Sequence, residues 1–217
     1  MFISTGSKAL DAMLGGGVRG GFLTDVYGES GSGKSQLCFT LCANCAKNGD
    51  QAAFIDTAGR TFRPERIATM IDGDTLKKIK FMRVIDTADQ IATFNRAKEM
   101  DIQLLVVDTL TSLFSVEYAG PARHLAVMSH LHDLSVFAIT SGCAVVVTNM
   151  VRNVPTDGRP LQREYLGSSV SIYSHAKVKR EIENAANREF KATLVQPPGK
   201  AAEFSISAQG VTDRPSA

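Results

Sequence analysis

The chain has 217 residues, 44% of them apolar, enough for one α/β domain with a full core but not comfortably for two. Its formal net charge is only +2, which excludes a uniformly basic nucleic-acid binder, so any such contact must come from local patches. No apolar run reaches the roughly 18–20 residues that a membrane span needs, and residues 1–6 lack a basic-then-apolar signal region, so a cytoplasmic protein without a membrane partner is expected.

In chain order, short β-prone runs alternate with helical stretches, the pattern of a mainly parallel sheet flanked by helices. Leu23-Thr24-Asp25-Val26-Tyr27 reads as a strand feeding a glycine-rich loop. A helix is predicted from about Lys34 to Lys47, ended by Asn48-Gly49. Ala52-Ala53-Phe54-Ile55-Asp56 reads as the next strand, and Pro64 opens a helix, as its tolerance for a first turn allows. A strand over 81–85, a helix over 87–100 and a buried strand over 103–108 follow. The pattern then predicts a long helix over 122–140 and a strand over 144–148. Residues 152–165 turn polar around Pro155, Gly158 and Pro160 and are expected to form a mobile loop. From about Ala176 the β-prone segments are expected to finish the sheet as antiparallel strands. Cys38, Cys42 and Cys45 recur at helical spacing, and Cys143 falls in a strand. No CxxC pair or histidine cluster completes a metal site, so buried reduced thiols are expected.

The strongest motif is Gly28-Glu29-Ser30-Gly31-Ser32-Gly33-Lys34-Ser35, a full GxxxxGK[ST] P-loop followed by Gln36. Glycines let the backbone turn its N–H groups onto a phosphate, and the next helix adds its positive N-terminus. Lys34 is expected to reach the β- and γ-phosphates of ATP, and the Ser35 hydroxyl to ligate Mg²⁺. Leu104-Leu105-Val106-Val107-Asp108 is an apolar strand ending in a carboxylate, which is expected to hold the shell of that metal.

Several segments narrow the class. Ile3-Ser4-Thr5-Gly6-Ser7-Lys8-Ala9-Leu10-Asp11, Ile55-Asp56-Thr57-Ala58-Gly59-Arg60-Thr61-Phe62-Arg63-Pro64-Glu65-Arg66, Asp108-Thr109-Leu110-Thr111-Ser112-Leu113-Phe114 and Val147-Thr148-Asn149-Met150-Val151 occur in this order. Together they resemble the core of the RecA/RadA recombinase superfamily over nearly the whole chain, and in particular its short archaeal RadB-like paralogues. The resemblance implies a P-loop NTPase of the RecA type, as a single core over 1–217 without a separate N-terminal DNA-binding domain. It implies action in DNA recombination and repair, as an accessory or mediator of the main recombinase on single-stranded DNA. Association with that recombinase, or with itself, through the core is implied as well. Arg66 would stack on the adenine by resemblance, with a helix-surface arginine as the alternative.

Two departures bear on chemistry. Where the family carries a water-activating glutamate, this chain has Ala58, with Arg60 as an apparent insertion, and a methyl group cannot activate water. Where the family carries a γ-phosphate-sensing glutamine, it has Met150, whose thioether cannot donate a hydrogen bond. ATP binding with slow or absent hydrolysis is therefore expected, and no catalytic residue is assigned.

Two loops hold DNA in the family. The first would run here from Glu117 to His124 and is short and acid-bearing, a poor DNA contact. The second offers Arg152, Arg159 and Arg163 for phosphates and a nearby Tyr165 for a base, against the alternative of a solvated charged loop. Lys177, Lys179 and Arg180, next to Glu181 and Glu183, read as a solvated strand edge. His175 matches a family histidine that could relay loop state, with simple packing preferred; His124, His130 and His132 receive no chemistry. Two other readings stay open: an ATP-stabilised protein-interaction module without DNA binding, and an active ATPase of the clock-protein or helicase type.

Overall fold

Strand alternation decides the layers. The computed structural model describes residues 1–59, 63–155 and 161–215. In its central strands, residues of opposite parity enter two different cores. A short β1 (Phe2–Ile3), α1 (Lys8–Met13) and β2 (Val18–Arg19) precede β3 (Leu23–Gly28) and α2 (Lys34–Lys47). Then come β4 (Ala52–Asp56), α3 (Pro64–Ala68), α4 (Gly73–Leu76), β5 (Ile79–Arg83), α5 (Thr87–Lys98) and β6 (Leu104–Asp108). The second half adds α6 (Ser112–Glu117), α7 (Gly120–Ser141), β7 (Ala144–Val154), β8 (Leu161–Glu164), α8 (Gly167–Tyr173) and β9 (Ala176–Asn184). It closes with β10 (Glu189–Gln196), β11 (Ala201–Ser207) and β12 (Gly210–Asp213).

All but β1 and β2, which pair with each other, join one sheet in the order β12-β11-β10-β9-β3-β7-β6-β4-β5, with β8 paired to β7. From β9 to β5 every neighbour pair is parallel, and β10 to β12 add antiparallel strands at the C-terminal end. This is the expected α/β class, a RecA-type NTPase fold with a mainly parallel sheet. Leu104 and Val106 pack under α2, whereas Leu105 and Val107 pack under α5 and α7. Helix α2 buries most of its circumference, from Leu37 to Ala46, as a helix apolar on nearly all sides must. Among the described residues no helix is long and apolar enough to cross a membrane.

The four cysteines are free and buried in these cores. Burial raises all four thiol pKa values, Cys45 and Cys143 to about 12, so they act as small apolar side chains. The chain start is tied to its last strand: Ser7 Oγ donates to Asp213 at 2.6 Å, and the Ala9 N–H donates to the same carboxylate.

Three expectations need correction. Residues 152–165 contain a β-hairpin, because β7 runs on to Val154 and β8 returns antiparallel from Leu161. Main-chain hydrogen bonds there compensate for the polar composition. The expected first loop is mostly helix, since α6 reaches Glu117 and α7 begins at Gly120. Glu117 accepts hydrogen bonds from the Thr87 N–H and hydroxyl at the start of α5, so its charge caps a helix. Finally, β9 is no solvated edge. It lies between β3 and β10, and Lys177 and Arg180 are both buried.

Candidate functional site

The glycine-rich loop closes between β3 and α2, at the C-terminal end of the parallel strands, where α/β sheets place ligands. Its glycines answer to sterics. Gly33 sits at φ +80°, and a Cβ there would lie 2.4 Å from Ile206. At Gly28 a Cβ would lie 2.3 Å from the Arg180 carbonyl oxygen, because β9 runs directly alongside. Among the described residues no side chain caps α2 at Gly33, which leaves its first-turn N–H groups without a side-chain acceptor there. Such an end is an anion site in waiting.

Lys34 bends back over the loop and donates to the carbonyls of Gly28 and Glu29, each at 2.8 Å. Burial lowers its pKa, Asp108 opposes the shift, and the nearby Arg180 charge lowers it further. Gly28 to Gly31, Gly33 to Gln36, Asp108, Thr109, Met150 and Val151 line a cavity of about 570 Å³. Beside it lies a second cavity of about 530 Å³, bounded by Gly31, Gln36, Phe39, Arg66, Phe190 and Ile206 among others. The two share Gly31, Ser35 and Gln36 and together could hold a nucleotide's phosphates and its base. Arg66 is half-buried there, held by Gln36 at 3.1 Å and by the Ser207 carbonyl at 3.0 Å. It therefore does not lie free on a helix surface.

Asp108 is buried at the end of β6. One carboxylate oxygen accepts the Thr148 hydroxyl, and the other has no partner among the described residues. Burial raises its pKa against the pull of Ser35, Thr148 and Lys34. An orphaned buried oxygen beside a serine hydroxyl fits a hard divalent cation completed by phosphate oxygens, the usual arrangement for magnesium. Among the described residues no three His, Cys, Asp or Glu side chains cluster to hold a metal without such a ligand.

Ala58 follows β4, whose Asp56 is the register partner of Asp108. The Asp56 carboxylate is already committed, to the N–H groups of Ala58 and Gly59 at 3.1 Å and to Arg83 at 3.3 Å. Among the described residues, the carboxylates lining the loop cavity are Glu29 and Asp108. Met150 is partly exposed and brings its thioether to the same cavity. The neighbouring Asn149 ties the hairpin instead. Its amide nitrogen donates to Glu164 and to the Tyr165 carbonyl, and its oxygen accepts the Thr111 hydroxyl.

Arg152 and Arg163 are register partners across the hairpin, both exposed. With Tyr27, His124 and Lys179 they border a polar cavity of about 500 Å³. Arg159 lies outside the described residues. Tyr165 is half-buried, and its hydroxyl accepts a hydrogen bond from Arg123 at 2.7 Å. His175 accepts the Leu23 N–H at 3.0 Å and stacks on Phe22. That is the opposite end of β3 from the loop, so packing describes it and a relay to nucleotide does not. His130 is buried against Phe94 and Phe114 without a hydrogen-bond partner among the described residues, and burial lowers its pKa to about 4.

The sequence reading missed a buried ionic group beneath the hairpin. Lys177 reaches Glu164, Ser171 at 2.9 Å and Asp25 at 3.5 Å. Burial, with the Glu164 charge second, raises the Asp25 pKa well above the usual range. An aspartate inside an otherwise apolar strand was the only signal for it.

Residues 1–214 match the family model for Rad51. The chain is 34% identical to the DNA repair protein RAD51 homolog B of Zea mays, over 97% of this chain and 69% of that one. It is 38% identical to the DNA repair and recombination protein RadA of Metallosphaera sedula, over 97% and 72%, and 32% identical to RadA of Cenarchaeum symbiosum, over 97% and 58%. With the P-loop, the carboxylate-ended β6 and the antiparallel C-terminal strands in place, the chain belongs to the Rad51 family.

Proposed function

We propose that residues 1–217 act as one ATP-binding core in DNA recombination and repair, accessory to a main recombinase on single-stranded DNA, with weak or absent hydrolysis. The observation that carries this reading is an asymmetry at the loop. The groups that would hold a nucleotide are assembled, and the groups that would act on it are replaced. Residues 28–36 would enclose the phosphates with backbone N–H groups, Lys34 would move from its own loop carbonyls onto them, and Arg66 would lie along the base. Ser35 and Asp108 would hold magnesium, which when bound offsets phosphate charge. Ala58 offers no base, and Met150 offers no donor to report the γ-phosphate to the hairpin.

A steady-state ATPase assay with Lys34→Ala as control tests the hydrolysis part. Loss of a water-positioning group costs a factor of ~10²–10⁴ in rate, so turnover should sit near the Lys34→Ala background; lysine-dependent turnover near ~1 per second, within the range usual for enzymes, would refute it.

For DNA, Arg152, Arg159 and Arg163 are the candidate contacts, with association with the recombinase or a second copy through the core. A protein-interaction module without DNA binding is the competing reading. It is favoured by exposed Leu125, Val136 and Ile139 on α7 and by the tethered Tyr165. Salt-dependent binding of a labelled oligonucleotide separates the two. Each phosphate-contacting arginine should contribute about one unit of salt slope, and no affinity even at low salt would favour the module.

A further inference from the structure

Arg180 lies under the loop with its charge unanswered. It is the register partner of Gly28 on β9, and its side chain passes beneath the loop to the far end. There Nη1 donates to the Gly33 carbonyl at 2.8 Å. The guanidinium packs over Phe204 at 4.3 Å and is 1% exposed. Its Nε and Nη2 have no hydrogen-bond partner, and no carboxylate pairs with it among the described residues. A buried cation is ordinarily matched by a buried anion, because desolvation otherwise costs several kcal/mol.

This charge is set against a second cation. The Arg180 charge lowers the Lys34 pKa, behind the larger effects of burial, which lowers it, and Asp108, which raises it. Burial lowers the Arg180 pKa to about 9. A ligand carrying several negative charges would relieve both groups at once. The Gly33 carbonyl already accepts the Leu37 N–H at 3.0 Å, so Arg180 is not needed to satisfy it.

We infer that Arg180 is a positioning residue whose buried, carboxylate-free guanidinium supplies a fixed positive charge beneath the P-loop, tuned to the number of phosphate charges on the nucleotide. The inference rests on the reading of the loop as a nucleoside triphosphate site. It predicts that affinity is lost in proportion to ligand charge, which a merely structural residue would not produce.

The test measures binding of adenosine mono-, di- and triphosphate with magnesium to the full chain and to three variants, with apo thermal unfolding alongside. Arg180→Met keeps the stem and removes the charge. Arg180→Gln removes the charge and keeps a donor for Gly33, and it serves if the methionine variant does not fold. Arg180→Lys keeps the charge. The neutral variants should bind the triphosphate roughly ten- to hundredfold more weakly, the diphosphate less so and the monophosphate least. Apo unfolding should stay unchanged or move to higher temperature, and the lysine variant should retain the gradient. Equal losses across the three ligands, or wild-type triphosphate affinity in the neutral variants, would overturn the inference while the loop reading stands. If the wild-type chain binds none of the three, the loop reading fails and takes the inference with it.

Discussion

Two groups of buried charge sit on either side of β3, and they are built on opposite plans. Beneath the hairpin, Lys177 forms buried ion pairs with both Glu164 and Asp25. Beneath the P-loop, Arg180 has no carboxylate partner among the described residues, and Asp108, the acid nearest in effect to Lys34, keeps one oxygen without a partner. The first group pairs its cation within the chain and ties the hairpin to the sheet through Glu164, although both Asp25 oxygens lack a hydrogen-bond partner among the described residues. The second has an unpaired cation, which fits the proposed anionic ligand and its metal. Whether buried charge is balanced internally separates framework from site more sharply than burial does.

The largest expected effect breaks the balanced group. Lys177→Met leaves Glu164 buried without its cation and should cost about 3–5 kcal/mol in urea unfolding. Nucleotide affinity of the folded protein should stay at the wild-type level. A parallel fall in affinity would mean that the two groups are one.

A second effect comes from a buried group that belongs to neither. The His130 pKa falls from 6.5 to about 4 on folding. Between those values the unfolded chain takes up a proton that the folded chain refuses, so stability is full above pH 6.5 and is lost as pH falls toward 4. The loss should approach ~3 kcal/mol at ~1.4 kcal/mol per pH unit. Replacing His130 with Leu should flatten that part of the profile; an unchanged slope would place the acid sensitivity in the carboxylates.

The smallest expected effect sharpens the unbalanced group. Asp108→Asn removes a buried, partly unpartnered charge and should leave apo stability unchanged or higher. Magnesium should then improve nucleotide affinity about tenfold less than in wild type, or ~1.4 kcal/mol. A variant as magnesium-responsive as wild type would remove Asp108 from the metal shell.

The sequence exposed the site better than its surroundings. The bounds of α2 and β4 follow from local cues, Gly33 before and Asn48-Gly49 after the helix, and an unbroken apolar run for the strand. The P-loop and Asp108 were legible because their chemistry demands fixed residue types at fixed spacing. Arg180 and Lys177 were misread because Glu181 and Glu183 next to them suggest solvent. Only the parallel pairing of β9 with β3, more than a hundred residues away in sequence, buries them. The hairpin was read as a loop because Pro155, Gly158 and Pro160 punctuate the sequence there, while its arms pair through the main chain, which carries no side-chain signal.

The central claim is that this loop, with Ser35 and Asp108, holds a triphosphate and its metal. Calorimetric titration of ATP at millimolar magnesium into the wild-type chain and Lys34→Ala tests it most directly. The account predicts saturable, magnesium-dependent binding that the substitution abolishes. No binding by folded wild-type protein, or equal binding by both, would contradict it.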